Sequence, residues 1–217
     1  MKPMTKKTPS VSRSSHQVRI IGGQWKRSLL SVVSAEGLRP TPDRVRETTF
    51  NWLNHLFNAN WMTLRCLDLF AGSGALGFEA ASRGAAAVTM VEASAPAFRQ
   101  LLAVQEKLAA QQCRLLRADA SKAIASLAPA SCELIFLDPP FEQAWLEKML
   151  PACQPLLATP GYVYVESEFA LDHADPSESM KKLLSGWQVI RADRAGSVYF
   201  HILQRSILQP DTHENQA

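Results

Sequence analysis

The sequence predicts an α/β fold built on a mostly parallel sheet that helices cover on both faces. From about residue 64 onward, short continuous apolar runs alternate with segments of helical periodicity, a pattern typical of parallel sheets. An acidic residue lies within the first of these apolar runs, and one follows each of the next three. The 217 residues suffice for one such domain with a sizeable core and leave little room for a second.

Composition places the chain among ordinary globular proteins. Hydrophobic residues make up 47% and charged residues 20% of the sequence, which excludes a disordered, collagen-like or coiled-coil chain. No apolar run approaches the roughly 18–20 residues of a membrane span, and no apolar segment follows the basic N-terminus as in a secretory signal. The cysteines form no CxxC pair, so we expect reduced core thiols in a cytoplasmic protein and no zinc site; they are Cys66, Cys113, Cys132 and Cys153.

The first 60 residues predict a β-hairpin followed by a helix. Apolar runs at residues 18–21 and 25–33 flank Gly22-Gly23, which can supply the positive φ of a hairpin turn. Residues 39–43 form a rigid approach to a helix, with Thr41 or Asp43 as cap and Pro42 in the first turn. Helical spacing of apolar residues then continues from Val45 to about residue 60.

The alternating part of the chain predicts seven strands. Five lie at residues 64–70, 87–91, 113–117, 134–137 and 162–165, with helices at 75–82, 96–111, 121–127 and 143–150 between the first five strands. Residues 187–191 and 198–203, joined by residues 193–196, close the sheet as an antiparallel pair. The predicted organisation is therefore a hairpin-and-helix extension at 17–60 and a main domain at 61–205, with disordered tails at 1–16 and 206–217.

Positive charge is concentrated near the N-terminus although the formal net charge is only +3. Residues 1–50 hold ten Lys or Arg against three Asp or Glu, whereas the other 167 residues hold 13 against 17. This asymmetry favours a polyanion-facing surface within residues 17–50, where the charges are interleaved with apolar residues. For residues 1–16 a solvated tail without a partner remains an equal alternative.

A glycine-rich loop after the first strand of this series predicts a nucleotide cofactor. Residues 72–77 satisfy G-x-G-x-x-G, and Glu92 follows Gly72 by 20 residues, the spacing of an acid that binds ribose hydroxyls. Asp68 lies within the strand, where a carboxylate would repel a pyrophosphate but attract a cationic amino-acid end. S-adenosylmethionine, which carries an ammonium and a sulfonium but no phosphate, fits better than a nicotinamide dinucleotide. The alternative for Asp68 is a cap on the glycine loop.

The loop after the fourth strand offers acceptors for an amine. In Asp138-Pro139-Pro140-Phe141 the prolines remove two backbone donors, which leaves carbonyls and a carboxylate beside an aromatic ring. Such a loop can hold both N–H groups of a planar exocyclic amine while the base stacks on Phe141. The alternative is a turn that merely ends a buried strand.

Together these segments resemble the class I methyltransferases that modify exocyclic amines, with a Rossmann-like fold. Residues 17–205 are similar to the RsmD family, which methylates guanine N2 at position 966 of 16S ribosomal RNA. The similarity is carried by residues 18–26, 39–47, 68–77 and 138–141. It implies S-adenosyl-L-methionine as cofactor, 16S ribosomal RNA within the assembled 30S subunit as substrate, and a monomer.

The resemblance also assigns roles to residues. The catalytic set is Asp138, Pro139, Pro140 and Phe141. Cofactor contacts are implied for Asp68, Phe70, Ala71, Gly72, Ser73, Gly74, Glu92, Ala93, Asp119, Ala120, Thr41 and Arg44, with Arg44 equally eligible as a phosphate contact. RNA contacts are expected from Arg19, Gly22, Gly23, Trp25, Lys26, Arg27, Arg39 and Arg46. Asp119 could also be a helix N-cap, and Trp25 could instead pack the hairpin on the body.

Other functions remain open at this point. The five histidines show no ligand spacing, so we expect no metal. A methyltransferase acting on DNA adenine or protein glutamine would share the loop at residues 138–141. A nicotinamide-dependent dehydrogenase would explain the glycine loop but not Asp68 or the basic arm. A non-catalytic RNA-binding module would leave the acids at the strand ends without a role.

Overall fold

A seven-stranded, mostly parallel sheet organises the chain, as the sequence predicts. The computed structural model describes residues 17–32, 42–141 and 144–206. Its strands are β1 (Gln17–Arg19), β2 (Leu29–Ser31), β3 (Arg65–Asp68), β4 (Ala87–Val91), β5 (Cys113–Leu116), β6 (Cys132–Leu137), β7 (Leu157–Ser167), β8 (Trp187–Ala195) and β9 (Val198–Arg205). Its helices are α1 (Asp43–Leu56), α2 (Ala75–Ser82), α3 (Ala95–Leu108), α4 (Ala120–Ala125), α5 (Trp145–Cys153) and α6 (Glu178–Leu183), with 3₁₀ turns at Trp61–Thr63 and Gln154–Leu156.

The large sheet has the strand order β5-β4-β3-β6-β7-β9-β8. Strands β3 to β7 pair in parallel, whereas β9 is antiparallel to both β7 and β8. The chain winds outward from β3 to β5 and then returns to place β6 on the other side of β3. The order therefore reverses between β3 and β6, and open α/β sheets bind their ligands at such a reversal.

Two apolar cores cover the two faces of the sheet. On one face the sheet packs against the hairpin and α1 to α3, with Ile20, Phe50 and Phe78 among the fully buried side chains. On the other face it packs against α4 to α6, with Ile135 and Leu150 fully buried. All four cysteines are buried and free, which confirms the predicted core thiols. None of the described helices is long and apolar enough to cross a membrane.

The N-terminal hairpin exists, but its turn differs from the prediction. β1 and β2 pair antiparallel with Val18 opposite Leu30, and residues 20–28 connect them rather than a tight Gly22-Gly23 turn. Trp25 belongs to this connection and not to a strand. Local turn bonds within this connection, such as Lys26 N–H to the Gly23 carbonyl over 3.3 Å, are supplemented by contacts to α2 that are described below.

Other boundaries also shift. Helix α1 has Pro42 at its N-cap without a side-chain cap, so Asp43 is its first residue and not the predicted cap. Strand β8 extends to Ala195 and strand β9 begins at Val198, so Asp193 lies in β8 rather than in the connection. The predicted tails, Ser206 excepted, lie outside the described residues, as do Arg39 and Thr41.

Candidate active site

The C-terminal edge of the parallel strands brings the predicted acids together. Asp68 ends β3, while Glu92, Asp119 and Asp138 follow β4, β5 and β6. Asp68 lies opposite Phe136 in the sheet, and Asp138 follows Phe136 by two residues. Strand spacing and rise then put the Cα atoms of the two aspartates roughly 8 Å apart. The two carboxyl groups therefore flank the reversal point of the sheet.

The glycine loop takes its shape from three glycines with different tasks. Gly72 and Gly74 have φ of +53° and +78°, values that side chains rarely adopt. A Cβ on Gly74 would lie 2.5 Å from the Phe78 ring, and one on Gly77 would lie 2.4 Å from Met90 Sδ. Gly72 has open space around it instead, with one atom at 4.0 Å. Gly74 thus lets the loop lie close to Phe78, and Gly77 lets α2 pack on β4, while Gly72 leaves the loop open to a ligand.

Asp68 is a buried carboxyl group at the base of this loop. Its side chain is only 1% exposed, and the Gly77 amide donates to its Oδ2 over 3.1 Å. Burial raises the pKa of Asp68 to about 7, against the opposing effect of amide hydrogen bonds from Gly77 and Phe70, and the charge of Glu92 raises it further. Asp68 therefore does cap the glycine loop, and a nearby cation would favour its charged form.

Glu92 joins the same loop to the end of β4. Its Oε2 accepts the Gly72 amide over 2.8 Å, and its Oε1 accepts the Ser94 amide over 2.6 Å. Each carboxylate oxygen has two lone pairs, so Glu92 retains acceptor capacity after holding the loop. Ala93 beside it is exposed. The ribose contact of Glu92 stays a prediction.

Asp119 is the N-cap of α4. Its Oδ1 accepts the amides of Ser121 and Lys122 over 2.9 and 3.4 Å, so the alternative reading of this residue is confirmed. Ala120 is buried in the first turn. A capping role leaves room for a ligand contact through Oδ2, so the cofactor contact of Asp119 stays a prediction.

The Asp138-Pro139-Pro140-Phe141 loop emerges beside the glycine loop. Asp138 and Phe141 are half-buried, Pro139 is buried and Pro140 is exposed. The Phe70 ring, between β3 and the glycine loop, meets the Trp145 ring edge-on at a centroid distance of 5.2 Å. This contact ties the first turn of α5 to the glycine loop. Trp145 was not predicted as part of the site, although an aromatic residue four positions after Phe141 could have indicated it.

Arg46 differs from the other described residues that are expected to contact RNA through charged side chains, because it is buried. Its side chain is 0% exposed and its Nη2 donates to Asp43 Oδ1 over 2.7 Å. The helical period explains this, because Arg46 shares one face of α1 with Phe50 and Leu53, which pack on the sheet. Arg44, on the other side of α1, is exposed.

The hairpin is anchored to α2 by two side chains that the sequence reasoning missed. Glu79, fully buried, accepts the amides of Ile21 and Gly22 over 2.6 and 2.8 Å and pairs with Arg83 at 2.8 Å. Ser82 Oγ accepts the Trp25 amide and donates to the Gly22 carbonyl. The available signal was a glutamate in an otherwise apolar helix, since a buried charge needs partners.

This anchoring assigns a packing role to the predicted glycines. A Cβ on Gly23 would lie 1.9 Å from the Ser82 carbonyl oxygen. Trp25 is half-buried and packs against the core, as its alternative reading expected. Arg19, Lys26 and Arg27 are exposed, so a hairpin that is hydrogen-bonded to α2 presents cations to solvent.

The described residues contain no cluster of three or more His, Cys, Asp or Glu side chains that could hold a metal ion. A cavity of about 400 Å³ opens near the C-terminal end of α3, lined by Leu102, Gln105 and Gln111 among others. Helix α3 begins just after Glu92, at the C-terminal ends of the strands, and runs back toward their N-terminal ends. The cavity therefore lies away from the site.

Comparisons with known proteins agree with the geometry of this edge. Residues 18–204 match a family described as Conserved hypothetical protein 95. The chain is 38% identical over 201 residues to ribosomal RNA small subunit methyltransferase D of Escherichia coli strain K12, covering 92% of this chain and 95% of that protein. It is 33% identical to the protein of the same name from Haemophilus influenzae, covering 87% and 94% of the two chains.

Solved structures give the same result. A putative methyltransferase of Escherichia coli, yhhF, superposes with a TM-score of 0.72 at 35% identity, over 88% of this chain and 98% of that chain. A putative methylase from Haemophilus influenzae superposes with a TM-score of 0.67 at 29% identity, over 88% and 99% of the two chains. The predicted Rossmann-like methyltransferase fold is thereby confirmed.

Proposed function

This chain belongs to the RsmD family of ribosomal RNA small subunit methyltransferases, and from that membership we propose that it methylates the exocyclic N2 amine of a guanine in 16S ribosomal RNA. The methyl donor in this proposal is S-adenosyl-L-methionine, and the guanine is the one at position 966. The observation that carries the proposal is the pair of carboxyl groups, Asp68 and Asp138, on either side of the sheet reversal.

The residues of β3 to β5 suit S-adenosylmethionine. Asp68 is a buried carboxyl group, and an ammonium beside it would offset the cost of burying its charge. No phosphate-binding cation lies in the glycine loop itself. Glu92 has lone pairs for the two ribose hydroxyls, and Asp119 has a carboxylate oxygen for the adenine amine. When bound, this cofactor supplies a methyl group activated by a positive sulfur.

The residues after β6 would prepare the nucleophile. The N2 lone pair of guanine is delocalised into the ring, so the amine attacks poorly unless it becomes pyramidal. Asp138 and the neighbouring carbonyl groups can accept its two N–H donors and thereby direct the lone pair toward the methyl group. Phe141 would stack on the base. The product ammonium is acidic, so Asp138 or water can take its proton.

The N-terminal extension would hold the RNA. Arg19, Lys26 and Arg27 are exposed on a hairpin that Glu79 and Ser82 anchor to α2. Cations on a rigid element can bind phosphates at a fixed distance from the site without taking part in the chemistry. A ribosomal RNA substrate also agrees with the expected cytoplasmic location.

The test is methylation in vitro of RNA from cells that lack this protein. Purified 30S subunits and naked 16S ribosomal RNA from such cells are incubated with the chain and labelled S-adenosylmethionine. We expect one N2-methylguanine per 16S molecule, mapped by nuclease digestion and mass spectrometry to position 966. Methylation of an adenine, of DNA or of protein, or no transfer to either RNA substrate, would contradict the proposal.

A further inference from the structure

Glu166 lies beside Asp138, on the strand next to it. Val165 pairs with Leu137 in the parallel register, so Glu166 and Asp138 are the next residues of β7 and of the chain after β6. Val165 and Leu137 point into the core formed with α4 to α6. Because side chains alternate along a strand, Glu166 and Asp138 turn to the opposite face, which α1 covers.

The Tyr164 hydroxyl binds Glu166, one of these two carboxyl groups. It donates to Glu166 Oε1 over 2.8 Å, and the two side chains are 0% and 3% exposed. Burial raises the pKa of Tyr164, the charges of Glu166 and Asp138 raise it further, and Thr49 lowers it. The hydroxyl therefore stays a proton donor to Glu166.

Arg46 of α1 lies above the same place. Phe57 packs on Tyr162 at 5.2 Å and Phe50 on Phe136 at 5.8 Å, so α1 runs antiparallel to β6 and β7. Arg46, one turn before Phe50, is therefore directed to the strand ends that carry Asp138 and Glu166. It is fully buried, and within the described part of the chain its Nε and Nη1 have no hydrogen-bond partner.

Buried guanidinium N–H groups without an acceptor are costly and call for an explanation. A ligand that supplies an acceptor to Arg46 and donors to the two carboxyl groups would provide one. The Watson–Crick edge of guanine offers this order of groups, with O6 as acceptor followed by N1–H and the N2 amine as donors. Adenine presents the reverse at the first two positions.

We propose that Glu166 and Arg46 select guanine, with Glu166 accepting the N1–H and Arg46 donating to O6 while Asp138 holds the N2 amine. The proposal rests on the proposed function, since it names how the substrate base is recognised. In this proposal, Glu166 near the C-terminal end of β7 distinguishes guanine from other bases. Adenine would meet Glu166 with the N1 lone pair and Arg46 with an amine, so both contacts would be repulsive.

The test compares guanine with 2-aminopurine at the target position. This base keeps the amine at C2 but lacks O6 and N1–H. Small subunits are reconstituted from 16S RNA ligated with either base, and kcat/KM for methyl transfer is measured for each. For the parent we expect a preference for guanine of at least about 100-fold, because the site's buried polar groups would be left unpaired by the analogue.

Variants then separate recognition from support. Glu166→Gln can donate to N1 of 2-aminopurine, so it should reduce the preference at least about tenfold by slowing guanine and sparing the analogue. Arg46→Met should slow guanine but not 2-aminopurine. Glu106→Gln, the matched control, makes the same substitution at an exposed carboxylate of α3 and should keep the preference within about threefold. Affinity for S-adenosylhomocysteine is measured for each variant as a check on folding.

Three results would overturn the inference. A parent that methylates both bases equally well would overturn it without any variant. A Glu166→Gln protein that slows both bases by the same factor would show that Glu166 only supports the fold. A parent that forms no N2-methylguanine would remove the proposed function, and this inference with it, whereas the first two results leave the proposed function standing.

Discussion

Asp68 is a carboxyl group that the fold buries at a cost in stability. Its pKa is about 7 in the folded chain against an ordinary value of 3.8, so the folded state binds its proton more tightly than the unfolded state does. The free energy of unfolding therefore falls as the pH rises from about 4 through 7. Above pH 7 the cost reaches at most about 4 kcal/mol in the absence of a ligand.

Asp68→Asn should make the folded protein more stable at high pH, because it removes a buried carboxylate. At pH 8 we expect the variant to exceed the parent by about 2–4 kcal/mol in free energy of unfolding, with little difference at pH 4. Its affinity for S-adenosylhomocysteine should fall at least about tenfold, because the ammonium loses its carboxylate. Urea unfolding at both pH values and calorimetry measure the two effects. A variant that is no more stable at pH 8, or that binds the ligand as the parent does, would contradict this role.

Individual residues were predictable from sequence where local spacing decides their place. Asp68, Gly72, Glu92 and Asp119 sit at strand ends and in turns, so their position follows from the alternation of strands and helices. The burial of Arg46 was not predicted because it depends on which face of α1 meets the sheet. Glu79 was missed because its partners, Ile21 and Gly22, are almost 60 residues away in the chain.

At the scale of elements, the hairpin depends on close backbone contact with α2. A side chain on Gly23 would collide with the Ser82 carbonyl oxygen, and Gly23 also has φ of +74°. Gly196, in the connection between β8 and β9, has a comparable φ of +63°, but a Cβ there would meet nothing within 4 Å. Alanine substitutions at the two glycines therefore separate the cost of a steric collision from the cost of a left-handed backbone conformation.

Gly23→Ala should cost about 2–4 kcal/mol of stability, since it combines a left-handed alanine with the loss of hairpin hydrogen bonds to Glu79 and Ser82. Gly196→Ala, the matched control, should cost only about 1–2 kcal/mol. Urea midpoints at unchanged slope report both values. Equal losses of stability in the two variants would show that the hairpin shifts to make room for the alanine and keeps its hydrogen bonds to α2.

Elements were predictable to the extent that their apolar pattern is local. Strand β4 and helix α2 have the predicted bounds because a continuous apolar run and a closing glycine mark them. Helix α6 was missed because it has no buried residue, so no periodic pattern reveals it. Strand β7 begins at Leu157, five residues before its predicted start, because Leu157 pairs with Cys132. The register then shifts, and regular pairing resumes at Tyr162, where the predicted strand begins.

At the scale of the whole molecule, the basic hairpin and the acidic sheet edge divide the work between binding and chemistry. Removing Arg19, Lys26 and Arg27 together should flatten the dependence of log RNA affinity on log salt by about two units, at about 0.7 per single-stranded phosphate contact. Filter binding over a salt series measures the slope, and affinity for S-adenosylhomocysteine should not change.

A control with the same loss of charge removes Lys181, Lys182 and Arg191. These residues are exposed on α6 and β8, at the other edge of the sheet, and their loss should leave the slope unchanged. A hairpin variant with the salt slope of the parent would show that its cations do not contact RNA phosphates.

The reversal between β3 and β6 also separates cofactor binding from amine activation, and Asp138→Ala tests that central claim most directly. Single-turnover methylation of 30S subunits should slow about 30- to 1000-fold, equivalent to about 2–4 kcal/mol of barrier from one lost acceptor. Affinity for S-adenosylhomocysteine should stay within about threefold of the parent, and Glu106→Ala, an exposed carboxylate of α3 removed as control, should keep the full rate. An Asp138→Ala protein that methylates at nearly the parental rate, or that loses rate only through weaker cofactor binding, would contradict the assignment of this loop to the reacting amine.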